Sequence, residues 1–218
     1  MDAMEIRRNA IVELVNKYGT VSFSQIKEQF SNVSEMTLRT DLKALDEAKE
    51  IVRIHGGAKS VQLVIGTDDY LTRRAVRNIQ AKQEIARKAL KLIQPDTAIF
   101  MDSGSTTTEL AKLFPDQSNL IYTTGLSCAT ELANLTKPVI MLPGGQLNRY
   151  SISVYGISAI RELEQVNFHQ TFLGVTGYSM KAGFTCGNNE EAMLKRTAIE
   201  QAEQVVVLMD ASKTDIKS

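Results

Sequence analysis

The stretch from Val33 to Ala58, VSEMTLRTDLKALDEAKEIVRIHGGA, constrains the fold more than any other part of the chain. Ser34 stands as a helix N-cap behind the apolar Val33, and Leu38 is placed to close a hydrophobic staple on Val33. Leu38, Leu42 and Leu45 recur at i, i+4 and i+7, a narrow apolar stripe that predicts a helix lying on a small core. Met36, Thr40, Lys43 and Glu47 fall on the opposite side of that helix, with Thr37 and Arg39 on the flanks. In IVRIH, Val52 and Ile54 then alternate with Arg53 and His55, and Gly56-Gly57 marks a turn that tolerates positive φ. A helix with an uncovered polar face, followed by a hairpin carrying Arg and His, is how a winged helix-turn-helix meets DNA.

The preceding segment supplies two more helices. Ile6, Ala10, Leu14, Val15 and Tyr18 form a helical stripe that stops at Gly19. Ser22 and Gln25 have the spacing of a capping box, bracketed by Val21 and Ile26 as a staple, and this second helix runs to about Phe30. Only three residues separate Phe30 from Ser34, the short turn expected between the two helices of the motif.

The run TVSFSQIKEQFSNVSEMTLRTDLKALDEAKEIVRIHGGA resembles the amino-terminal signature of the DeoR family of bacterial regulators of sugar metabolism. The shared elements are V-S before helix two, V-S-x-x-T-[IL]-R-x-D-L through the recognition helix, and R-x-H-G-G-A in the wing. Two positions depart from the pattern: Thr40 replaces a second Arg, and Lys49 replaces a Gly between helix and wing. The first removes a cation from the groove-facing side, so operator sequence or affinity is expected to differ from the family norm.

Charge sharpens this picture. Lys plus Arg and Asp plus Glu both number 25, and residues 1–60 balance at nine of each sign. DNA-binding domains are often basic, because phosphate contacts dominate affinity. Here the positive charge is local: Arg53, His55 and Lys59 lie in an acid-free run over residues 51–60. Weak affinity of one copy, made adequate by a homo-oligomer (dimer or tetramer) on repeated half-sites, is the expected consequence. The two cysteines, Cys128 and Cys186, fit no metal spacing and read as buried thiols of a reducing compartment. The sequence contains no apolar run of transmembrane length and no signal-peptide core, so a cytoplasmic protein with no membrane partner is expected.

The domain reading is a winged helix-turn-helix over 1–60, a linker over 61–70 and an α/β domain over 71–218. A helix is predicted from about Leu71 to Ile93, its cations (Arg73, Arg74, Arg77, Lys82, Arg87, Lys88, Lys91) read as a solvated face rather than a DNA contact. Arg74 and Lys82 also match an Arg-to-Lys spacing of eight that opens the sensor domain in the DeoR pattern. Strands are predicted over 97–102, 120–124, 138–143, 171–176 and 205–210. Helices fall between them over 107–114, 126–135, 154–164 and 190–202, the alternation of a mainly parallel sheet with helices on both faces.

Ligands of such sheets bind outside the carboxyl ends of the strands. Each strand here ends in small, polar or charged residues: Asp102-Ser103-Gly104-Ser105-Thr106-Thr107, then Thr123-Thr124-Gly125, then Pro143-Gly144-Gly145 with Asn148, Arg149, Ser151 and Ser153. Gly174 and Gly177 mark the fourth, and Asp210-Ala211-Ser212-Lys213 the fifth. Backbone N–H groups of the first loop, backed by a helix dipole, suit an anion such as phosphate. Together the loops describe a small pocket for a phosphorylated, hydroxylated ligand.

D-S-G-[ST]-T-T, G-G-x-L-N-R-x-S-x-S-x-x-G, F-L-G-V and D-x-S-K resemble the DeoR effector domain, a fold similar to ribose-5-phosphate isomerase. By that resemblance, Gly104, Ser105, Thr106 and Thr107 would hold the phosphate of a sugar-phosphate inducer. Asp102, Thr123, Gly144, Gly145, Asn148, Arg149 and Lys213 would line the remainder, and Lys195 matches a family Lys while reading equally as a surface helix residue. Family members continue past D-x-S-K, so the sensor domain is expected to be cut short: either the chain is a shortened one or the protein is a truncated member, whose sheet would then carry an exposed edge.

The resemblance therefore implies a repressor of a sugar-catabolic operon. Ser34 and Thr37 would hold operator phosphates, Met36, Arg39, Thr40 and Lys43 would lie at or near base edges, and Arg53, His55 and Gly56 would touch backbone or minor groove. Arg39 could equally pair with Asp41 or Glu35. The rival reading is an isomerase-like enzyme with an accessory DNA-binding domain, its acid–base groups drawn from Asp102, Glu190, Glu191, Lys195, Asp210 and Lys213. No catalytic triad, metal cluster or cofactor motif presents itself, and His169 has no obvious partner.

Overall fold

The computed structural model describes residues 3–48, 50–60 and 71–216. They divide into two compact units, residues 1–67 and residues 68–218. The linker expected over 61–70 and the substituted position Lys49 lie outside the described residues.

The first unit runs α1 (Ala3–Tyr18), β1 (Thr20–Ser22), α2 (Phe23–Gln29), α3 (Glu35–Glu47), β2 (Ile51–Ile54) and β3 (Gly57–Ser60). Both helix starts form as their capping residues predict. Ser22 Oγ accepts from Gln25 N at 3.2 Å while Gln25 Oε1 accepts from Ser22 N at 2.8 Å, and Ser34 Oγ accepts from Thr37 N at 3.1 Å. Ile11, Val15, Val21, Ile26, Leu38, Leu42, Leu45, Ile51 and Ala58 close one core beneath them.

Three features differ from the sequence reading. β1, too short to show a period, pairs with β3 and makes the wing a three-stranded antiparallel sheet in the order β1-β3-β2. α1 turns Ile11 and Val15 inward, leaving Ile6 55% and Tyr18 63% exposed; Ile6 is five residues from Ile11, about 140° around the helix. β2 buries Ile51 and Val52 in succession and then leaves the core, so Ile54 does not face inward.

The two wing glycines act differently. Gly56 has φ +81°, the left-handed turn conformation, whereas a Cβ at Gly57 would meet the Val21 carbonyl oxygen at 2.2 Å. Buried Asp41 ties α3 to α1, accepting from Arg7 Nε at 2.6 Å and Arg8 Nε at 2.9 Å. Burial works to raise the Asp41 carboxyl, but the two guanidiniums outweigh it and hold it below its ordinary value.

The second unit begins with α4 (Leu71–Val76) and α5 (Ile79–Leu90), followed by β4 (Ala98–Met101), α6 (Ser105–Lys112), β5 (Leu120–Thr123), α7 (Leu126–Leu132) and β6 (Val139–Met141). Next come β7 (Gln146–Asn148), β8 (Ser153–Tyr155), α8 (Ile157–Leu163), β9 (Phe168–Gly174), β10 (Gly177–Ser179), β11 (Gly183–Thr185), α9 (Asn189–Glu200) and β12 (Ala202–Leu208). β12, β9, β4, β5 and β6 form one sheet in that order, with every pairing parallel.

Side-chain alternation along β4 separates two cores. Ile99 and Met101 join Ala86, Leu110, Cys128 and Leu132, whereas Phe100 joins Ala159, Leu163, Phe168, Leu194 and Ala198. Helices α5, α6 and α7 thus cover one face, and α8 and α9 the other. The rings of Phe100 and Tyr122 each stand 5.7 Å from that of Phe168, and burying a side chain of this size contributes about 1.5–3 kcal/mol.

The helix predicted over 71–93 is broken. Asn78 takes φ 52°, a left-handed conformation that Asn tolerates better than most residues. The break is served by Lys82, whose Nζ donates to the Arg74 carbonyl and, at 2.6 Å, to the Arg77 carbonyl. Lys82 is accordingly only 3% exposed, not part of a solvated basic face; Arg87, Lys88 and Lys91 are exposed. The segment predicted as helix from 154 opens instead with β8, paired antiparallel to β7, and β10 and β11 form a second hairpin.

Candidate functional site

In the first unit the outer side of α3 is uncovered. Met36 is 78% exposed, and Thr40, Lys43 and Arg39 are exposed beside it. Local contacts arrange this face. Thr37 Oγ1 lies 2.8 Å from Ser34 Oγ, and Thr40 Oγ1 donates to the Met36 carbonyl at 2.9 Å. The Arg39 guanidinium lies 4.2 Å from the Phe23 ring centroid and 3.8 Å from Glu35. Asp41 is held by Arg7 and Arg8, so of the two pairings open to Arg39 the one with Glu35 forms.

The turn before α3 is fixed by Lys27, whose Nζ donates to the carbonyls of Ser31 and Val33 at 2.9 and 2.7 Å. Asp46 Oδ1 accepts from Arg53 N at 2.9 Å, anchoring the wing strand to α3. Arg53, His55 and Gly56 are exposed on the wing. Lys27 and Asp46 act on backbone groups across a turn, which periodicity does not reveal.

In the second unit the carboxyl ends of β4 and β9 meet α9 at one ion pair. Asp102 Oδ2 accepts from Gly174 N at 2.9 Å and from Lys195 Nζ, and Lys195 Nζ also donates to the Gly174 carbonyl at 3.1 Å. Burial pushes the Lys195 ammonium down, but Asp102 and then Glu191 outweigh it, and its net shift is upward. Beside this pair a pocket is lined by Arg74, Ser103, Gly104, Ser105, Thr106, Ser151, Gly174, Val175, Thr176, Cys186, Glu191, Lys195 and Lys213.

The loop after β4 gives the pocket its hydroxyl-rich wall. Gly104 has φ +138°, which favours glycine, and starts α6 so that Ser105 and Thr106 face the pocket from its first turn. Thr107 is fully buried, and its Oγ1 donates to the Gly104 carbonyl at 2.9 Å, stitching the loop from beneath. Also at the pocket, Ser151 Oγ donates to Glu191 Oε1 at 3.0 Å, and Asn148 Nδ2 approaches the same oxygen at 3.3 Å. Lys213 Nζ donates to the Val175 carbonyl at 2.6 Å. Burial first, with Arg74 and Lys195 adding to it against the opposing pull of Asp210, brings the Lys213 ammonium down to about 8.

Of the sequence-predicted effector residues, the structure brings Gly104, Ser105, Thr106, Lys195 and Lys213 to the pocket wall, with Asp102 behind Lys195. Thr107, Thr123 and Asn148 lie one layer back: Thr123 Oγ1 accepts from Gly125 N at 3.2 Å, and Asn148 Oδ1 from Tyr150 N at 2.9 Å. Gly144, whose N–H donates to Glu162 at 2.8 Å, Gly145 and Arg149 are exposed and do not line it.

Arg74, Thr176, Cys186 and Glu191 enter the wall without having been assigned to it, and Ser151, named only among the strand-end loops, joins them. The Arg74-to-Lys82 spacing and the serines after β7 were the available signals. Cys128 is a buried thiol, raised by burial to about 11, but Cys186 is only half-buried and faces the pocket. His169 does have partners: Nδ1 lies 2.7 Å from Glu203 Oε2 and Nε2 2.9 Å from Gln94 Oε1, a tie at the surface of the sheet.

Among the described residues no group of three or more His, Cys, Asp or Glu could hold a metal ion, and no helix is long and apolar enough to cross a membrane. Residues 7–63 match the DeoR-like helix-turn-helix domain, and residues 77–218 the DeoR C terminal sensor domain. The chain is similar to the uncharacterised HTH-type transcriptional regulator YulB of Bacillus subtilis, 32% identical over 95% of this chain and 80% of that protein. It is also 32% identical to the glycerol-3-phosphate regulon repressor of Escherichia coli K12, over 95% of this chain and 81% of that one. Among solved structures, ribose 5-phosphate isomerase A of Methanocaldococcus jannaschii overlaps with a TM-score of 0.45 at 16% identity, across 63% of this chain and 55% of that one.

Proposed function

Since the chain belongs to the DeoR family of helix-turn-helix transcriptional regulators, we propose that it represses a sugar-catabolic operon and is released from its operator by a phosphorylated sugar. The observation that carries this reading is the pocket beside Asp102 and Lys195, which Ser105, Thr106, Arg74 and Lys213 line together. Hydroxyls, first-turn backbone N–H groups and cations form a cradle for a phosphate group. Ser151 and Glu191 on the same pocket suit sugar hydroxyls. A relative named for the glycerol-3-phosphate regulon supports a phosphorylated effector.

On the DNA side, α3 enters the major groove. Met36, Arg39, Thr40 and Lys43 meet or approach base edges, Ser34 and Thr37 hold phosphates, and Arg53, His55 and Gly56 touch the backbone or minor groove. The repressor works in the cytoplasm as a homo-oligomer on repeated half-sites. Effector binds one arrangement of the oligomer better and shifts the population away from the spacing the operator requires.

Thermal melting of the protein against a panel of sugar phosphates and the matching free sugars tests this. One phosphorylated sugar is expected to raise the melting temperature while its free form does not. The same compound is then expected to release the protein from its own promoter in a mobility-shift assay. A panel with no shift contradicts the sensor reading, and turnover of a panel member puts an isomerase-like enzyme in its place.

A further inference from the structure

α4 is a short helix with an unusual set of fastenings. Its first residue, Leu71, donates its N–H to the Tyr150 carbonyl at 2.7 Å. Its far end stops at left-handed Asn78, whose Nδ2 donates to Ser212 Oγ at 3.1 Å, one residue from pocket-lining Lys213. Beneath that end the buried Lys82 ammonium holds the carbonyls of Arg74 and Arg77. Arg74 itself, from the middle of α4, lines the pocket together with Ser105, Thr106 and Lys213.

The charges around α4 are mostly of one sign. Burial, followed by the neighbouring charge of Lys213, pushes Lys82 down to about 8, with Arg77 and Arg74 adding to the repulsion and Asp210 opposing it. Four cations thus crowd the seat of this helix, and like charges in a low-dielectric site repel strongly. An anion lying between Arg74 and Lys213 converts that repulsion into attraction on both sides, and a guanidinium offers a phosphate two parallel N–H donors.

We propose that Arg74 is a ligand of the effector phosphate, and that through it an occupied pocket clamps α4 onto the sensor unit. This rests on the phosphate reading of the pocket and assigns its regulation. α4 is the first described element after the DNA-binding unit in the chain. The ligand binds more tightly when α4 is seated, and by linkage it stabilises the seated form.

Hydrogen–deuterium exchange on the full chain, with and without inorganic phosphate, tests the proposal. Phosphate is expected to slow amide exchange in two separate segments, residues 103–108 and residues 72–78. In Arg74→Gln the first segment remains protected at about tenfold higher phosphate, a loss of 1.4 kcal/mol, while the second loses its protection. An Arg74→Lys variant, which keeps the charge without the fork, is expected to fall between the two. Protection of 103–108 without 72–78 in the wild type overturns the clamp and leaves the phosphate pocket standing. Protection of neither segment overturns both. Protection of 72–78 that survives in Arg74→Gln shows that another group makes the contact.

Discussion

Arg39 and Lys43 on α3 reach into solvent, each beside an acid on its own helix: Glu35 at 3.8 Å for Arg39, Glu47 at 3.8 Å for Lys43. Lys82, Lys195 and Lys213 in the sensor unit do the opposite. Their ammonium groups are drawn inward onto backbone carbonyls and, for Lys195, onto Asp102. Exposed pairs of the first kind contribute about 0–1 kcal/mol to stability, whereas breaking a buried pair leaves an uncompensated charge. The cations of α3 are therefore laid over a finished fold, whereas the inward-drawn cations of the second unit are part of the fold.

The largest test of that contrast is Asp102→Ala. It strands Lys195, so the sensor unit is expected to lose roughly 3–5 kcal/mol, seen in calorimetry as a melting transition lowered by roughly 10 °C. Effector response goes with it. An unchanged melting temperature would break the contrast at once. Next is Thr106→Glu, which sets a carboxylate where phosphate is expected. Response to the sugar phosphate is expected to vanish in a mobility-shift assay while operator binding stays, and a normal response would remove Thr106 from the cradle.

Arg39→Ala probes the other side. Operator affinity is expected to fall about 10- to 100-fold, the range for one base contact. Its contact with Phe23 contributes only about 0.5–1 kcal/mol to the fold, so melting of this small unit is expected to move by no more than about 8 °C. A collapse of the fold would show that Arg39 is structural and would erase the difference between the units.

The smallest effect concerns pH. An anion favours the ammonium form of Lys213, which is lost above about 8. Phosphate affinity is thus expected to fall as pH rises through that value, by up to about tenfold per unit. Asp210 opposes this loss, Arg74, Arg77 and Lys195 favour it, and Lys82 titrates in the same range. Lys213→Arg separates the two lysines: calorimetry at pH 7 and 9 is expected to show a smaller drop, since a guanidinium keeps its charge.

What the sequence disclosed divides along the same line. The Ser22–Gln25 box and the Ser34 cap join residues three apart, so a linear pattern carries them. The seat of Asp41 on Arg7 and Arg8 spans 34 and 33 residues, and Ser151 with Glu191 spans 40; these partners meet only after folding. Lys82 was misread because helical spacing reports which residues share a side, not whether a neighbouring break in the helix will draw a cation under it. The alternation of apolar runs and helical patterns gave the parallel sheet, since burial on both faces writes itself into every strand. β1 and the two hairpins, of three residues a strand, are shorter than any period can register.

The double clasp on Asp41 also reaches outside the protein, to the ions around the operator. Binding to DNA releases about 0.9 condensed counterion for each phosphate a cation neutralises. Arg7 and Arg8 face inward to a carboxylate, leaving the release to the exposed cations of α3 and the wing. Each copy is thereby expected to shed few ions, so that its grip on DNA weakens only gently as salt concentration climbs.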